Sequence, residues 1–266
     1  MGARPVIDIS LFRNVLASEW TKLRSVRSTY WSILIAIILG IGLSAAICAG
    51  TAASYSDFSL HDRLTFDATA ISTSGLFFAQ LALGVFAIVT MTAEYSTGSI
   101  RATMAAVPRR GYVLAAKAVM VGALSSVVAI GIAFAAFGIG QLIFARHGLS
   151  VGLADPGVFR AVAGSGLYIG GLVLLALGLA TIIRHTAGAI TALVAIVFIV
   201  PVVSNLLPAS LQHEVSRYLP ANAGSAITAT VNVPELLTPW VGFAVFLGWA
   251  ALSLGVGWYL LRTRDV

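Results

Sequence analysis

Long stretches without charged residues dominate the pattern of polar and apolar positions along the chain. Six such runs occur, and each exceeds the roughly 20 residues that a helix needs to cross about 30 Å of hydrocarbon. Within hydrocarbon, backbone N–H and C=O groups must pair inside their own segment, so each run is predicted to be helical. The predicted spans lie near residues 31–53, 71–93, 118–144, 162–183, 187–207 and 239–261. The pattern therefore predicts an all-α polytopic membrane protein with six transmembrane helices.

The composition supports lipid as the solvent of this chain. Hydrophobic residues make up 59% and charged residues 10%, whereas soluble domains typically hold about 45–50% and about 25%. Cys48 is the single cysteine, so an internal disulfide is excluded.

The positive charges are unevenly divided between the segments that join the spans. Twelve of the 16 Lys and Arg residues fall on the side that holds both termini. Because basic residues concentrate on the cytoplasmic side of membrane proteins, both termini are predicted to be cytoplasmic and the chain to lie in the plasma membrane. The net charge of +6 follows from this topology and does not indicate a nucleic-acid partner.

Residues 1–30 are predicted to be a cytoplasmic leader, and residues 31–266 the transmembrane domain. Apolar residues recur at helical spacing between Leu11 and Ser28, which predicts an amphipathic helix on the inner membrane surface. Its boundary aromatic and its cationic anchors are Trp20, Lys22, Arg24 and Arg27. On the outer side, residues 208–238 form a long loop. Two interpretations remain open for this loop, an interfacial or re-entrant hairpin and an irregular connection.

The segment between spans two and three predicts a short cytoplasmic helix over about residues 97–107. Gly98 interrupts the outgoing span, Ser99 and its hydroxyl neighbours can cap a new helix, and Pro108 ends it. One face carries apolar residues at i, i+4 and i+7 spacing: Ile100, Met104 and Val107. A helix of two or three turns is too short to be stable alone, so this one must pack against lipid or protein.

Some classes of chemistry are missing from the sequence. The phosphate-binding Gly-x4-Gly-Lys-Ser/Thr loop and a catalytic or metal-ligand set are absent, so we expect no enzymatic activity and no cofactor in this chain. No Asp, Glu, Lys or Arg is expected well inside a predicted span, which disfavours a carrier driven by ions. Energy is therefore expected to enter through a cytoplasmic contact.

Two segments resemble the permease subunits of type-2 ATP-binding cassette (ABC) exporters, especially those of actinobacteria. They are the leader Ser18-Glu19-Trp20-Thr21-Lys22-Leu23-Arg24-Ser25-Val26-Arg27-Ser28, and Glu94-Tyr95-x-x-Gly98-Ser99-Ile100-Arg101 followed by Pro108-x-Arg110 and Lys117. The resemblance implies an N-terminal connecting helix and a coupling helix that docks on a separate ATPase. It implies a docking face of Ile100, Met104 and Val107 and a hinge at Glu94, where span two ends. It also implies charged contacts with the ATPase or with lipid headgroups, made by Arg101, Arg109 and Arg110.

The expected function is that of a permease subunit in an ATP-driven exporter that moves a hydrophobic or amphipathic substrate outward. ATP would be bound and hydrolysed by a cytosolic ABC ATPase, and the other expected partners are a second permease copy or paralogue and membrane lipids. Two alternatives remain open, a membrane anchor or assembly subunit without transport activity, and an ion-coupled secondary carrier.

Overall fold

The computed structural model describes residues 9–107, 110–204, 206, 208, 214–231 and 237–264. Its helices, in chain order, are α1 (Ile9–Ser25), α2 (Arg27–Asp57), α3 (Leu60–Leu64), α4 (Ala68–Ser72), α5 (Leu76–Ser96), α6 (Ser99–Ala106), α7 (Arg110–Ala145), α8 (Val158–Ile183), α9 (Thr186–Ser204), α10 (Pro220–Ser225) and α11 (Pro239–Thr263). Among these residues there is no strand, and α2, α5, α7, α8, α9 and α11 are long and apolar enough to cross a membrane. The prediction of an all-α protein with six spans is confirmed.

Two of the long helices begin five or more residues from the predicted starts of their spans. The second long helix begins at Leu76 instead of residue 71 because Asp67 starts a separate short helix, α4, by accepting hydrogen bonds from the backbone N–H groups of Thr69 and Ala70. The third begins at Arg110 instead of residue 118. Lys117, expected in the preceding loop, therefore lies two turns inside α7.

Helix α8 is the centre of the bundle and packs against α5, α7 and α11. Gly166 and Gly170 face Ile130 and Ser126 of α7, where a Cβ atom would collide with the neighbouring helix. This small-xxx-small step brings two helix backbones close together within one chain.

The two ends of the bundle differ in structure. We call the end that carries α1, α6 and the α8–α9 link the basal end, and the end that carries α3, α4 and α10 the distal end. At the distal end, the described part of the 208–238 loop includes α10 and a 3-10 turn at Ala226–Thr228. Ala223 and Ile227 are buried there, so this part of the loop packs onto the bundle.

Candidate coupling site at the basal end

Four charged side chains from three helices meet at the basal end. Glu19 and Lys22 come from α1, Glu94 from the last turn of α5 and Lys117 from α7. Lys117 Nζ lies 2.6 Å from Glu19 Oε2 and 2.8 Å from Glu94 Oε1. Lys22 Nζ lies 2.7 Å from Glu19 Oε1 and 2.9 Å from Glu94 Oε1. We call these four residues the charge cluster.

Most of the charge cluster is shielded from solvent. The side chain of Lys117 is 1% exposed and that of Glu19 is 3% exposed, while Glu94 is 11% and Lys22 36% exposed. Buried charges are tolerated when opposite charges and hydrogen bonds compensate them. Two carboxylates and two ammonium groups in mutual contact balance the charge and tie α1, α5 and α7 together. Glu94 Oε2 alone among the carboxylate oxygens of the cluster is buried without a hydrogen-bond partner in the described part of the chain.

Helix α1 reaches the cluster because one of its faces packs on α7. Val15, Glu19 and Leu23 recur every four residues and are all buried, so Glu19 lies in an otherwise apolar contact face. Phe12 adds an edge-to-face contact with Tyr112 of α7, with ring centroids 5.7 Å apart. The helix predicted at the membrane surface is therefore also a packed part of the bundle.

The predicted anchors of α1 occupy different surroundings. Trp20 is 42% exposed, and Arg24 and Arg27 are exposed, as expected of groups at a membrane boundary. Lys22 instead turns into the charge cluster. Burial alone would lower the pKa of Lys22, but hydrogen bonds and charge attraction from Glu19 and Glu94 outweigh burial and raise this pKa above its usual value.

Helix α6, Ser99–Ala106, lies within the range of about residues 97–107 that was predicted to form a short coupling helix. Gly98 precedes it with φ of 71°, a left-handed conformation that glycine adopts without steric cost. This turn reverses the chain after α5 and places α6 beneath the bundle.

The apolar stripe of α6 faces the bundle and not the outside. Ile100 is 2% exposed and belongs to the main hydrophobic core, and Met104 packs against the same core. Val107 is half-buried at the end of the helix. The exposed residues of α6 are Ser99, Arg101, Ala102, Ala105 and Ala106. Burial of Ile100 in its own chain corrects the expectation that the apolar stripe is a free surface for a partner.

The predicted arginine contacts separate in the structure. Arg101 is exposed on α6. Arg110 is half-buried, and its Nη1 donates a hydrogen bond of 2.9 Å to the carbonyl oxygen of Leu261, near the end of α11. Arg110 thus connects two spans instead of pointing to a partner. Pro108 and Arg109 lie outside the described residues.

A cavity of about 310 Å³ joins the charge cluster to α6. All four cluster residues line this cavity, together with Ser99 and Thr103 of α6 and with residues of α2 and α5. Helix α6 and the charge cluster therefore border the same space. Within the described residues, no group of three or more His, Cys, Asp and Glu is arranged to hold a metal ion.

Comparison with known sequences identifies the family. No curated protein matches the chain. The sequence model of a family described as ABC-2 family transporter protein matches residues 15–208, which extends from the middle of α1 past the end of α9. This match agrees with the family predicted from the leader and the α5–α7 segment. The chain therefore belongs to the ABC-2 transporter family and is a multi-pass membrane permease of an ABC transporter.

Proposed function

We propose that this permease is the membrane half of an exporter that moves a hydrophobic or amphipathic substrate outward when a separate ATPase closes on ATP. The observation that supports this function best is the arrangement of the basal end. There a short helix presents one face outward while its other face borders a charge cluster that joins three helices.

The outward face of α6 suits contact with another protein. Arg101, Ala102 and Ala105 are exposed on neighbouring turns, and the two alanines allow a partner's backbone or side chains to approach closely. Ile100 fixes the opposite face in the core of the bundle. A force on the exposed face would therefore move α6 together with the helices that it packs against.

The charge cluster is the proposed route from α6 into the spans. Glu94 lies in the last turn of α5, which Gly98 joins to α6, while Lys117 belongs to α7 at the other end of the same connection. Lys22 and Glu19 add α1 to this unit. In the proposed mechanism, ATP binding to the partner stabilises one of two arrangements of these helices and switches access to the substrate from inside to outside.

The proposed assembly contains two permease chains, identical or paralogous, and two ATPase subunits in the plasma membrane. The excess of Lys and Arg on the basal side supports a cytoplasmic position for α6, where ATP is available. Lipid headgroups would contact the exposed Arg24 and Arg27 of the leader.

Association with an ATPase tests this function directly. The permease would be co-expressed with a candidate ATPase chosen from neighbouring genes by its phosphate-binding loop. We expect Ala105→Glu to abolish co-purification and ATP-dependent transport in vesicles, because it places a buried charge in the docking contact. The matched control is Ala154→Glu, at an exposed distal position. Equal co-purification of both variants and the wild type would contradict docking on α6.

The side of the membrane is tested by cysteine labelling. Cys48 is fully buried, so introduced cysteines report their own positions. A membrane-impermeant maleimide should label Ala154→Cys in intact cells and Ala102→Cys only after the cells are permeabilised. Labelling of Ala102→Cys in intact cells would place α6 outside and exclude a cytosolic partner there.

A further inference from the structure

A second cavity lies at the distal end, away from the charge cluster. Its volume is about 330 Å³, and it is enclosed by α4, α5, α8, α9 and α10. Phe77, Ile169 and Val197 form part of its apolar wall, and Gln80, Tyr168 and Asn222 are among its polar lining residues. The wall thus combines apolar surface with several polar side chains, and small-molecule sites combine the same two kinds of surface.

Gln80 places a buried polar atom without a partner in the wall of this cavity. It is 4% exposed, and its Oε1 is buried without a hydrogen-bond donor from the described part of the chain. Buried amide oxygens are nearly always paired, because an unpaired one loses its hydration without compensation. Gln80 lines the cavity, so a rotation of its terminal amide would let a bound molecule supply the missing donor.

Gln141 is the other glutamine among the described residues. Its Nε2 donates to Ser72 Oγ at 3.0 Å, and its Oε1 accepts from the backbone N–H of Val151 at 2.8 Å. Both ends of this amide are used inside the protein. Gln80 Oε1 has no such partner in the described part of the chain.

The lining also indicates the charge of a ligand. The described residues that surround the cavity include no Asp, Glu, Lys, Arg or His. A charged ligand would lose its hydration there without a counter-charge, which is costly in an apolar environment. A neutral ligand with a hydroxyl or amide N–H group fits both the lining and the free acceptor.

One wall of the cavity has an irregular backbone. Val197 lies in a π-helical segment, Ala195–Ile199, inside α9. Such segments interrupt the regular hydrogen bonding of a helix and occur frequently at functional sites. The irregularity coincides with the cavity, which adds an independent reason to regard this wall as part of a site.

We propose that the distal cavity binds a small, uncharged, amphipathic compound that donates a hydrogen bond to Gln80 Oε1. This inference deepens the proposed transport function and rests on it to the extent that the bound compound is taken to be the exported substrate. The cavity volume is near the lower limit for ligand sites, about 300 Å³, so the compound that fits within one chain is small.

The test uses the permease purified by itself, photolabelled with 4-(hydroxymethyl)benzophenone. The labelled peptides are identified by mass spectrometry, and saturation of labelling gives the apparent Kd. We expect saturable labelling of α5 and α8 peptides, about fivefold to tenfold weaker apparent binding in Gln80→Leu, and unchanged binding in the matched variant Gln141→Leu. Equal affinities of wild type and Gln80→Leu would overturn the proposal.

Two further probes test the same hydrogen bond to Gln80 without a mutation. 4-(Methoxymethyl)benzophenone lacks the donor and should bind the wild type as weakly as the alcohol binds Gln80→Leu. The anion 4-benzoylbenzoate should label these peptides at least tenfold less, and equal labelling by the alcohol, ether and anion would overturn the site. Because no ATPase is present, failed ATPase association leaves this result intact, whereas ATP-driven transport without labelling would refute only the cavity.

Discussion

Lys117→Met is the most direct test of the charge cluster. Methionine has a similar length and fills the same space without a charge. The substitution removes the ammonium group that lies 2.6 Å from Glu19 and 2.8 Å from Glu94. Both carboxylates would then share Lys22 as their remaining cationic neighbour in the cluster.

The structure gives the expected magnitude. Removing one partner of a buried ion pair costs about 3–5 kcal/mol, because the other charge stays buried without compensation. Lys117 is 1% exposed and Glu19 is 3% exposed, so this range applies. Lys22 still contacts both carboxylates, which places the expected loss in the free energy of unfolding at the lower end, about 3 kcal/mol.

A surface pair supplies the matched control. Glu214 and Arg217 also form an ion pair, but their side chains are 63% and 29% exposed, and such pairs contribute about 1 kcal/mol or less. Unfolding of the permease by SDS in mixed detergent micelles would compare Lys117→Met with Glu214→Gln. A loss in Lys117→Met no larger than that in Glu214→Gln would refute the assignment of a buried, compensated cluster.

A second substitution tests the cause of this loss. In Lys117→Met, the uncompensated carboxylates are expected to be the destabilising groups. Adding Glu94→Gln removes one of them, so the double variant should recover part of the lost stability, a non-additive result. Further destabilisation in the double variant would show that Lys117 acts mainly through packing.

Three further predictions concern individual positions. Gly98→Ala should lower the free energy of unfolding by about 1–2 kcal/mol because its φ is 71°; Gly131→Ala, in open space within α7, should cost nothing. Gly166→Ala should cost about 1–3 kcal/mol because the added Cβ meets the Ile130 backbone. An unchanged unfolding curve would contradict the left-handed backbone in Gly98→Ala and the close helix contact in Gly166→Ala. Lys22 has a raised pKa, so its stabilising effect is present below its usual value of 10.5 and is lost as the pH rises through the higher folded value. The stability difference between wild type and Lys22→Met should therefore be constant from about pH 7 to 9 and shrink above pH 10.5; a decline between pH 7 and 9 would contradict the pairing.

The spans were predictable because a single physical requirement determines them. Apolar length decides whether a helix can cross hydrocarbon, and all six long helices overlap the predicted ranges. The ends of these helices were harder to predict, because a charged residue usually indicates a loop outside the membrane. Lys117 is charged but lies inside α7, where Glu19 and Glu94 compensate it. The sequence around Lys117 does not reveal the two acidic partners of its charge, because they lie 98 and 23 positions away along the chain.

The sequence nevertheless contains one indication of the charge cluster. Glu19 and Glu94 are acidic residues on the side of the chain that holds most of the Lys and Arg. An acidic residue among many basic residues is expected to pair with one of them, but the sequence spacing does not identify which one. The packing of α1 against α7 determines which basic residue becomes the partner.

The orientation of α6 shows a different limit of sequence reasoning. An apolar stripe at helical spacing indicates that one face is covered, but it does not say by what. In this protein, Ile100 and Met104 are covered by the bundle itself, and the exposed surface of α6 consists of Ser99, Arg101 and three alanines. A short helix next to a large apolar core buries its apolar face in that core first, because the core is part of the same chain.

The position of the cluster also bears on how energy enters the protein. Lys117 lies seven residues after Arg110, so it is about 10 Å along the axis from the start of α7, near the basal end. An ion-coupled carrier needs an ionisable group that binds and releases its ion close to the middle of the membrane. The cluster instead pairs two acids with two bases at the end of the bundle, beside the helix that carries the exposed face. That position is suited to transmitting a movement of α6 to α5 and α7. It favours a mechanism driven by a partner protein at the basal end over a mechanism driven by an ion that crosses the membrane.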